Sequence, residues 1–269
     1  MPPAPDDLLW AHLTSVPAFR ALLRSVEARL LSQIAMPEPI LDLGCGDGHF
    51  ASLALSGPVL AGMDVSRRSL EEARARRVYQ LLLQGTANAL PFADGAFATV
   101  VSNCAIEHIP NLEGILREVH RVLRGGGLFV FTVPSEHFVE YLLFYRLFTK
   151  LRLWRLASAY GRWFTGISGH LRYYDPFAWK QVLQEHGFII VSWRYYLSRA
   201  AHSLFDLLHY YSAPCLAYKK LLGRWTLLPW RPNFWLVERL LRGYYAQDQP
   251  HDGAYLLLQA RKRNVKRET

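Results

Sequence analysis

Residues 40–50 constrain the fold more than any other part of the sequence. The run Ile-Leu-Asp-Leu at 40–43 is typical of a buried strand, and glycines follow it at positions 44, 46 and 48. Glycine permits a sharp turn and lets a ligand lie against bare backbone. Doubly wound parallel sheets bind nucleotides at such a turn after the first strand. The spacing G-x-G-x-G differs from the dinucleotide fingerprint G-x-G-x-x-G, so we expect no pyrophosphate on the helix N-terminus.

Apolar runs and helical patterns alternate after this turn. The pattern predicts strands at 39–43, 59–64, 80–84, 96–102 and 127–133, with helices at 51–55, 66–78 and 112–123. Strands that alternate with helices favour right-handed crossovers and a parallel sheet. A helix at 176–186 and strands at 188–197 and 253–260 complete the pattern. The predicted fold class is therefore α/β, with a doubly wound, mostly parallel, seven-stranded sheet.

Polar residues follow the predicted strands at the edge where their carboxyl ends meet. Asp64 ends the second strand about twenty residues after the glycine turn, where a carboxylate accepts both hydroxyls of a ribose. Thr86 and Ala87 follow the third strand, and Asn103 and His108 follow the fourth. These positions predict a nucleotide-like ligand at that edge of the sheet.

In the order and spacing of these motifs, the chain resembles class I S-adenosylmethionine-dependent methyltransferases. The resemblance is close over 38–134 and loose over 170–197 and 253–261, and it favours the branch that includes quinone-biosynthesis and other small-molecule methyltransferases. It implies an enzyme that uses S-adenosyl-L-methionine to methylate a hydrophobic small-molecule or lipid-like acceptor. The cofactor-binding residues that it implies are Asp42, Gly44, Gly46, Gly48, Asp64, Thr86, Ala87 and Asn103.

Two questions stay open within this resemblance. Family members usually carry an acidic residue at the position of Thr86, where it contacts the adenine amino group; a threonine there would accept a weaker hydrogen bond. The alternative function is a non-catalytic S-adenosylmethionine-binding subunit of a membrane-associated or multiprotein assembly. An NAD-dependent oxidoreductase is a distant third, because the glycine spacing does not fit it.

Two short segments are predicted to face the acceptor. An imidazole can take a proton from an acceptor hydroxyl near neutral pH, so His108 and His170 are the predicted catalytic residues. Related methyltransferases often place a His-x-Arg-x-Tyr/Phe stretch near the acceptor pocket, which makes Arg172 and Tyr173 the predicted substrate residues. Structural packing is the alternative for all four. No cluster of His, Asp and Glu shows metal-ligand spacing, and we predict no metal site.

Two aromatic segments, 135–174 and 198–251, interrupt the sheet pattern. The chain carries 31 Lys and Arg against 22 Asp and Glu, a net charge of +9, and between Tyr141 and Tyr174 there are six basic residues and no acidic one. We expect these segments to form a helical lid over an apolar pocket. A lid that also contacts a membrane peripherally is the first alternative, followed by plain structural elaboration. A nucleic-acid platform is not expected.

The predicted organisation has six parts. They are an N-terminal helical lead at 1–36, the cofactor-binding half at 37–134, the first insertion at 135–174, the last helix and sixth strand at 175–197, the second insertion at 198–251, and the seventh strand with a basic tail at 252–269. The start lacks the features of a signal peptide, and no apolar run is long enough for a membrane span. We therefore expect a cytoplasmic protein, with a peripheral position at the inner membrane face as the alternative.

Overall fold

The computed structural model describes residues 7–55, 57–223, 225, 231–247 and 250–264. The start of the predicted lead at 1–6, the part of the second insertion that contains Trp230, and the end of the basic tail at 265–269 lie outside these ranges. The strands are β1 (Ile40–Leu43), β2 (Val59–Asp64), β3 (Tyr79–Gln84), β4 (Phe97–Asn103), β5 (Leu123–Pro134), β6 (Phe188–Tyr196) and β7 (Tyr255–Lys262). The helices are α1 (Leu8–Leu13), α2 (Ala18–Leu31), α3 (His49–Ala54), α4 (Arg67–Arg76), α5 (Leu112–Val122), α6 (Leu143–Lys150), α7 (Trp154–Ser168), α8 (Pro176–Glu185), α9 (Arg199–Tyr211), α10 (Ala213–Leu222) and α11 (Arg231–Tyr245).

The seven strands form one sheet in the order β3-β2-β1-β4-β5-β7-β6. The pairs from β3 through β5 are parallel, while β7 runs antiparallel to β5. This arrangement confirms the predicted seven-stranded, mostly parallel α/β sheet. The order reverses between β1 and β4, which is the position where open α/β sheets bind ligands.

Central strands are buried, as a sheet covered on both faces requires. All four residues of β1 are buried, and β5 is buried from Gly127 to its end at Pro134. Phe129 and Phe131 stack at 4.6 Å between ring centroids, and Trp179 of α8 packs against Phe131 at 5.0 Å. β5 begins at Leu123, four residues before the predicted start. Leu123 pairs with Phe97, and a register shift follows, so the glycine run is accommodated inside the strand.

The chain divides into two compact units. The sheet unit contains Ser32–Glu136, Gly169–Arg194 and the residues from 255 onward. The helical unit contains the residues up to 31, His137–Ser168 and Tyr195–Ala254. Most of the predicted lead and of both predicted insertions therefore falls in the helical unit, whereas 32–36, 135–136 and 169–174 fall in the sheet unit. The role of the helical unit as a lid stays a prediction.

The helical unit has its own buried core and aromatic clusters. Phe144 of α6 packs edge to face with Tyr160 of α7 and with Tyr210 of α9, at 5.7 and 5.2 Å between ring centroids. The buried Asp206 accepts hydrogen bonds from the Tyr160 hydroxyl and the Phe144 backbone N–H, and burial raises the pKa of its carboxyl. Within the described residues, none of the helices has the length and apolarity needed to cross a membrane.

Candidate functional site

In the turn after β1, Gly44 packs tightly against neighbouring residues, whereas Gly46 has free space beside it. The N–H groups of Gly44 and Cys45 both donate to the Met63 carbonyl, at 2.8 and 3.1 Å. Gly44 has φ +80°, and a Cβ there would overlap the Cβ of Ala105. Gly46 has φ +54°, but a Cβ there would meet no described atom within 4 Å. Gly44 is thus required for packing, while the backbone at Gly46 faces open space.

Asp64, at the end of β2, holds the glycine turn in place. One of its carboxylate oxygens accepts the N–H of Gly46 at 2.9 Å, and the other accepts the N–H of Ser66 at 2.8 Å. A carboxylate offers about four acceptor positions. These two bonds orient Asp64 and still leave it able to accept hydroxyl groups from a ligand.

Asp42 lies beneath the turn and is bound by a tyrosine. The Tyr79 hydroxyl donates to the Asp42 carboxylate at 2.6 Å. Burial raises the pKa of Asp42 to about 6, and the hydrogen bond from Tyr79 acts in the opposite direction. A Cβ at Gly62 or Gly48 would press on the Tyr79 ring, at 2.8 and 3.1 Å. These two glycines therefore make room for the ring that supports Asp42.

A pocket of about 270 Å³ opens beside these residues. Ligand pockets usually measure roughly 300–1,000 Å³, so this volume lies slightly below the usual range. Its wall includes Gly44 after β1, Asp64 at the end of β2 with Val65 after it, Ala87 after β3, and Ala105 and His108 after β4. Each of these lies at the carboxyl end of a parallel strand or in the loop that follows it, which is where the sequence predicted a ligand.

The loop after β3 contributes Ala87 but turns Thr86 outward. Ala87 is buried and borders the pocket, whereas Thr86 is exposed and its carbonyl accepts the N–H of Ala89. Arg121 of α5 fixes the rest of this loop by donating to the carbonyls of Leu90 and Phe92, at 2.8 and 2.6 Å. Hydrogen bonds from α5 thus hold residues 90 and 92 of the loop that contains Ala87.

The end of β4 is fixed by a polar contact with β5. The Thr132 hydroxyl donates to the Asn103 side-chain oxygen at 2.8 Å, and Asn103 is buried. Cys104 then adopts φ +46°, a left-handed conformation that is uncommon for a residue with a side chain. Its N–H donates to the carbonyl and the hydroxyl of Thr132, at 3.1 and 3.0 Å. This turn directs the chain into the 3₁₀ segment Ile106–His108.

The structure brings the two predicted catalytic histidines together with Glu107. Nδ1 of His108 lies 3.0 Å from the Gly169 carbonyl, which can only accept, so Nδ1 carries the proton and Nε2 keeps its lone pair when the ring is neutral. Nε2 lies 3.8 Å from the carboxylate of Glu107, which is fully buried. The His108 and His170 rings are 5.2 Å apart between centroids. Burial, followed by the nearby His108, lowers the pKa of His170 to about 3.

Arg172 and Tyr173 support this cluster. The Arg172 guanidinium donates to the carbonyls of Ile106, Ile109 and Pro110 at 2.8–2.9 Å. The N–H of Leu171 donates to the Glu107 carbonyl at 3.0 Å. Tyr173 packs edge to face on His170 at 5.7 Å between ring centroids. The guanidinium predicted to bind substrate is therefore directed at the backbone that carries Glu107 and His108.

The predicted site residues fall into four groups, apart from Thr86, which is exposed and does not border the pocket. Gly44, Asp64, Ala87 and His108 border the pocket. Gly46 and Asn103 touch or precede residues that border it, and Asp42 and Gly48 lie around Tyr79. His170, Arg172 and Tyr173 form the cluster with Glu107. The sequence interpretation missed the contact of Tyr79 with Asp42, and only the glycines at 48 and 62 hinted at space for a ring.

Comparisons with known proteins agree with this geometry. Residues 41–131 match a family model described as a methyltransferase domain. The chain is 36% identical over 98 residues to a malonyl-(acyl-carrier protein) O-methyltransferase of Erwinia pyrifoliae, covering 36% of this chain and 37% of that protein. It is 33% identical over 127 residues to a demethylmenaquinone methyltransferase of Tropheryma whipplei, covering 45% and 52% respectively. The chain thus spans about half or less of these relatives.

A solved structure shares the fold over almost the whole chain. An S-adenosylmethionine-dependent methyltransferase of Thermotoga maritima superposes with a TM-score of 0.53, is 17% identical, and covers 91% of each chain. At this identity the likeness concerns the fold alone.

Proposed function

We propose that the chain, of which residues 41–131 match a methyltransferase domain, uses S-adenosylmethionine to transfer a methyl group to an O, N or C atom of a hydrophobic small-molecule or lipid-like acceptor. The observation that carries this proposal is the pocket at the carboxyl ends of β1, β2, β3 and β4. The demethylmenaquinone methyltransferase among the relatives is named for an acceptor of this hydrophobic kind.

The cofactor would lie across the glycine turn. Asp64 would accept the ribose hydroxyls with the acceptor positions that Gly46 and Ser66 leave available. The open backbone at Gly46, with Asp42, Gly44 and Gly48, would receive the methionine end, and Asn103 would lie beside it. Ala87 would contact the adenine. The exposed Thr86 would add a weaker hydrogen bond than the acidic residue that is usual there.

The acceptor would approach from the side of His108. The cofactor supplies a methyl group on a sulfonium that is already primed for attack, so alignment and exclusion of water are the main tasks of the protein. For a hydroxyl acceptor, Nε2 of His108 is the atom that can take the proton, since Nδ1 donates to Gly169. The neutral His170 and Tyr173 would form the adjoining wall, while Arg172 would keep the loop in place.

Cofactor binding gives the sharpest test. We expect S-adenosylhomocysteine to bind the wild-type protein in calorimetry and Asp64→Ala to weaken that binding at least tenfold. Glu71→Ala removes an exposed carboxylate of α4 and should leave binding unchanged. NAD should not bind. Equal affinities of the Asp64 and Glu71 variants would contradict the assignment of the ribose site.

Turnover separates the enzyme from the alternative of a non-catalytic binding subunit. We expect methyl transfer from labelled S-adenosylmethionine to at least one compound in a panel of quinone-like and lipid-like acceptors. A matching panel of carrier-protein thioesters should be tested as well. Binding of the cofactor with no methyl transfer to any compound of either panel would favour the alternative.

A membrane contact is the second proposal, and it rests on the exposed surface of α7. Leu156, Trp163 and Ile167 recur on one side of this helix and are each about half exposed, at 51, 50 and 57%. Arg155 and Arg162, seven residues apart, lie exposed on the adjoining side. Tryptophan beside basic residues suits the interface of an anionic bilayer, and the chain between Tyr141 and Tyr174 has no acidic residue to oppose it.

Vesicle binding tests this second proposal. The protein should sediment with vesicles that contain phosphatidylserine and should not sediment with pure phosphatidylcholine. The double variant Arg155→Glu/Arg162→Glu should lose most of this binding. Arg67→Glu/Arg74→Glu, with the same spacing on α4, is the matched control. Equal loss in both double variants would indicate that net charge, rather than α7, is responsible.

A further inference from the structure

We propose that Glu107, His108 and His170 form a binding site for a divalent transition-metal ion at the edge of the pocket. Metal binding at this place does not depend on the proposed function. Only the role of the metal in methyl transfer rests on that function. The sequence predicted no metal, because 62 residues separate His108 from His170 along the chain.

The geometry of the three side chains supports a shared ion. One ligand atom from each residue lies within 4.8 Å of the other two. Ligand atoms around a tetrahedral ion with bonds of about 2.0–2.2 Å are about 3.4 Å apart. Nε2 of His108 lies 3.8 Å from the Glu107 carboxylate, close to this spacing with its present ring orientation. No large movement of the backbone is needed.

The surroundings fix how His108 presents its donor atom and hold the segments that carry the other two ligands. Metal-binding histidines commonly donate their other N–H to a backbone carbonyl, which sets the tautomer and the ring orientation. His108 has this arrangement, with Nδ1 at 3.0 Å from the Gly169 carbonyl and Nε2 directed toward Glu107. Arg172 and the N–H of Leu171 hold the 3₁₀ segment to the chain around His170. The three ligands are therefore held by contacts that do not depend on the metal.

The donor set indicates the class of metal. Two imidazoles with one carboxylate suit Zn²⁺, Mn²⁺, Fe²⁺ or Co²⁺, whereas Mg²⁺ prefers oxygen ligands. Three protein ligands leave at least one coordination position for another molecule. Since His108 borders the pocket, that position would face a bound acceptor.

The metal would select acceptors that carry a hydroxyl or an enol. Bound to the ion, the acceptor oxygen would lose its proton to solvent, because a metal lowers the pKa of an oxygen ligand. The oxygen would then form its bond to the methyl carbon as the bond from carbon to sulfur breaks, leaving S-adenosylhomocysteine. In the metal-bound protein His108 would be a ligand rather than the proton acceptor.

Zinc titration of the chain without a polyhistidine tag tests the site. After treatment with EDTA and dialysis, the wild-type protein should bind one Zn²⁺ in calorimetry, and Co²⁺ should give visible absorption bands. His170→Ala should weaken Zn²⁺ binding at least about tenfold, since loss of a supporting contact alone costs about 10–100-fold. Glu107→Gln, which preserves the shape of the buried side chain, should weaken it as well. His251→Ala removes an exposed histidine elsewhere and is the control.

The results separate the metal site from the cofactor site. Absence of stoichiometric Zn²⁺ binding, or equal affinity in the wild-type protein and a folded His170→Ala variant, would overturn the proposal. Thermal unfolding of each variant shows whether it is folded. Selective loss of Zn²⁺ binding with S-adenosylhomocysteine binding retained would support a distinct metal site. Normal Zn²⁺ binding in a protein that binds no S-adenosylhomocysteine would refute the proposed function and leave the metal site intact.

Discussion

Replacing Asp42 with asparagine should stabilise the protein near neutral pH. Asp42 is 5% exposed, and its pKa of about 6 lies well above the ordinary 3.8 because burial disfavours the charged form. At 1.36 kcal/mol per unit of pKa, the difference between these two pKa values corresponds to about 3 kcal/mol of destabilisation once the carboxyl is ionised. Asparagine keeps the shape and an oxygen that accepts the Tyr79 hydroxyl, so the main change is loss of the buried charge.

The sign of the pH dependence is specific. The folded state holds the Asp42 proton more tightly than the unfolded chain, so the wild-type protein loses stability as the pH rises from about 4 to about 6. Asp42→Asn cannot lose that proton. The free energy of unfolding of the variant minus that of the wild type should thus be near zero at pH 4, increase up to about pH 6, and stay constant above it.

Urea unfolding between pH 4 and pH 7.5 measures this difference directly. Taking the difference removes the contributions of other titrating groups that the two proteins share. Tyr79→Phe is the companion variant, because the hydroxyl lowers the pKa of Asp42 and its loss should destabilise the protein at pH 7.5. A difference that is flat across the range, or a variant less stable than the wild type at pH 7.5, would refute the reasoning.

Three other substitutions have defined outcomes. Gly44→Ala should destabilise by about 2 kcal/mol or more in urea unfolding, since it combines left-handed strain with overlap on Ala105; a smaller cost would show that the turn relaxes. Gly46→Ala carries the strain without the overlap, so it should cost about 1 kcal/mol and mainly reduce S-adenosylhomocysteine affinity in calorimetry. Arg172→Ala should cost about 1–3 kcal/mol and raise amide hydrogen exchange at 106–110, whereas unchanged exchange there would contradict its anchoring role.

Local patterns were sufficient to predict the sheet, because each strand carries its own signal. The apolar residues of β1 and β2 indicate a buried strand in each case without information from the rest of the chain. The start of β5 was predicted at residue 127 but lies at Leu123. Glycines carry no side-chain pattern, and Leu123 is placed by its pairing with Phe97 across a register shift. Tertiary pairing of this kind cannot be read from neighbouring residues.

The geometry of the glycine turn was easier to predict than the cluster around His170 for a physical reason. Gly44, Gly46 and Asp64 are placed by the ends of two adjacent strands, so sequence spacing almost determines their distance. Glu107 and His170 come together because two segments more than sixty residues apart in the sequence are joined by hydrogen bonds. Arg172 and Leu171, which follow His170, donate to backbone carbonyls of the 3₁₀ segment that contains Glu107. The resemblance predicted that Arg172 would bind substrate; its guanidinium donates to three backbone carbonyls, and a contact with substrate stays a prediction.

Two destabilising features of the sheet unit lie close to the place where we propose that the cofactor binds. The buried charge of Asp42 and the left-handed backbone of Cys104 each reduce the stability of the folded chain. Both lie at the carboxyl ends of central strands, and Cys104 borders the pocket directly. A ligand that binds only the folded state adds stability in proportion to its affinity and concentration. If the cofactor contacts these residues as proposed, saturation with S-adenosylhomocysteine should stabilise the wild-type protein more than it stabilises the Asp42→Asn variant. The reason is that only the wild type presents a buried carboxylate to the cationic amino group at the amino-acid end of the ligand.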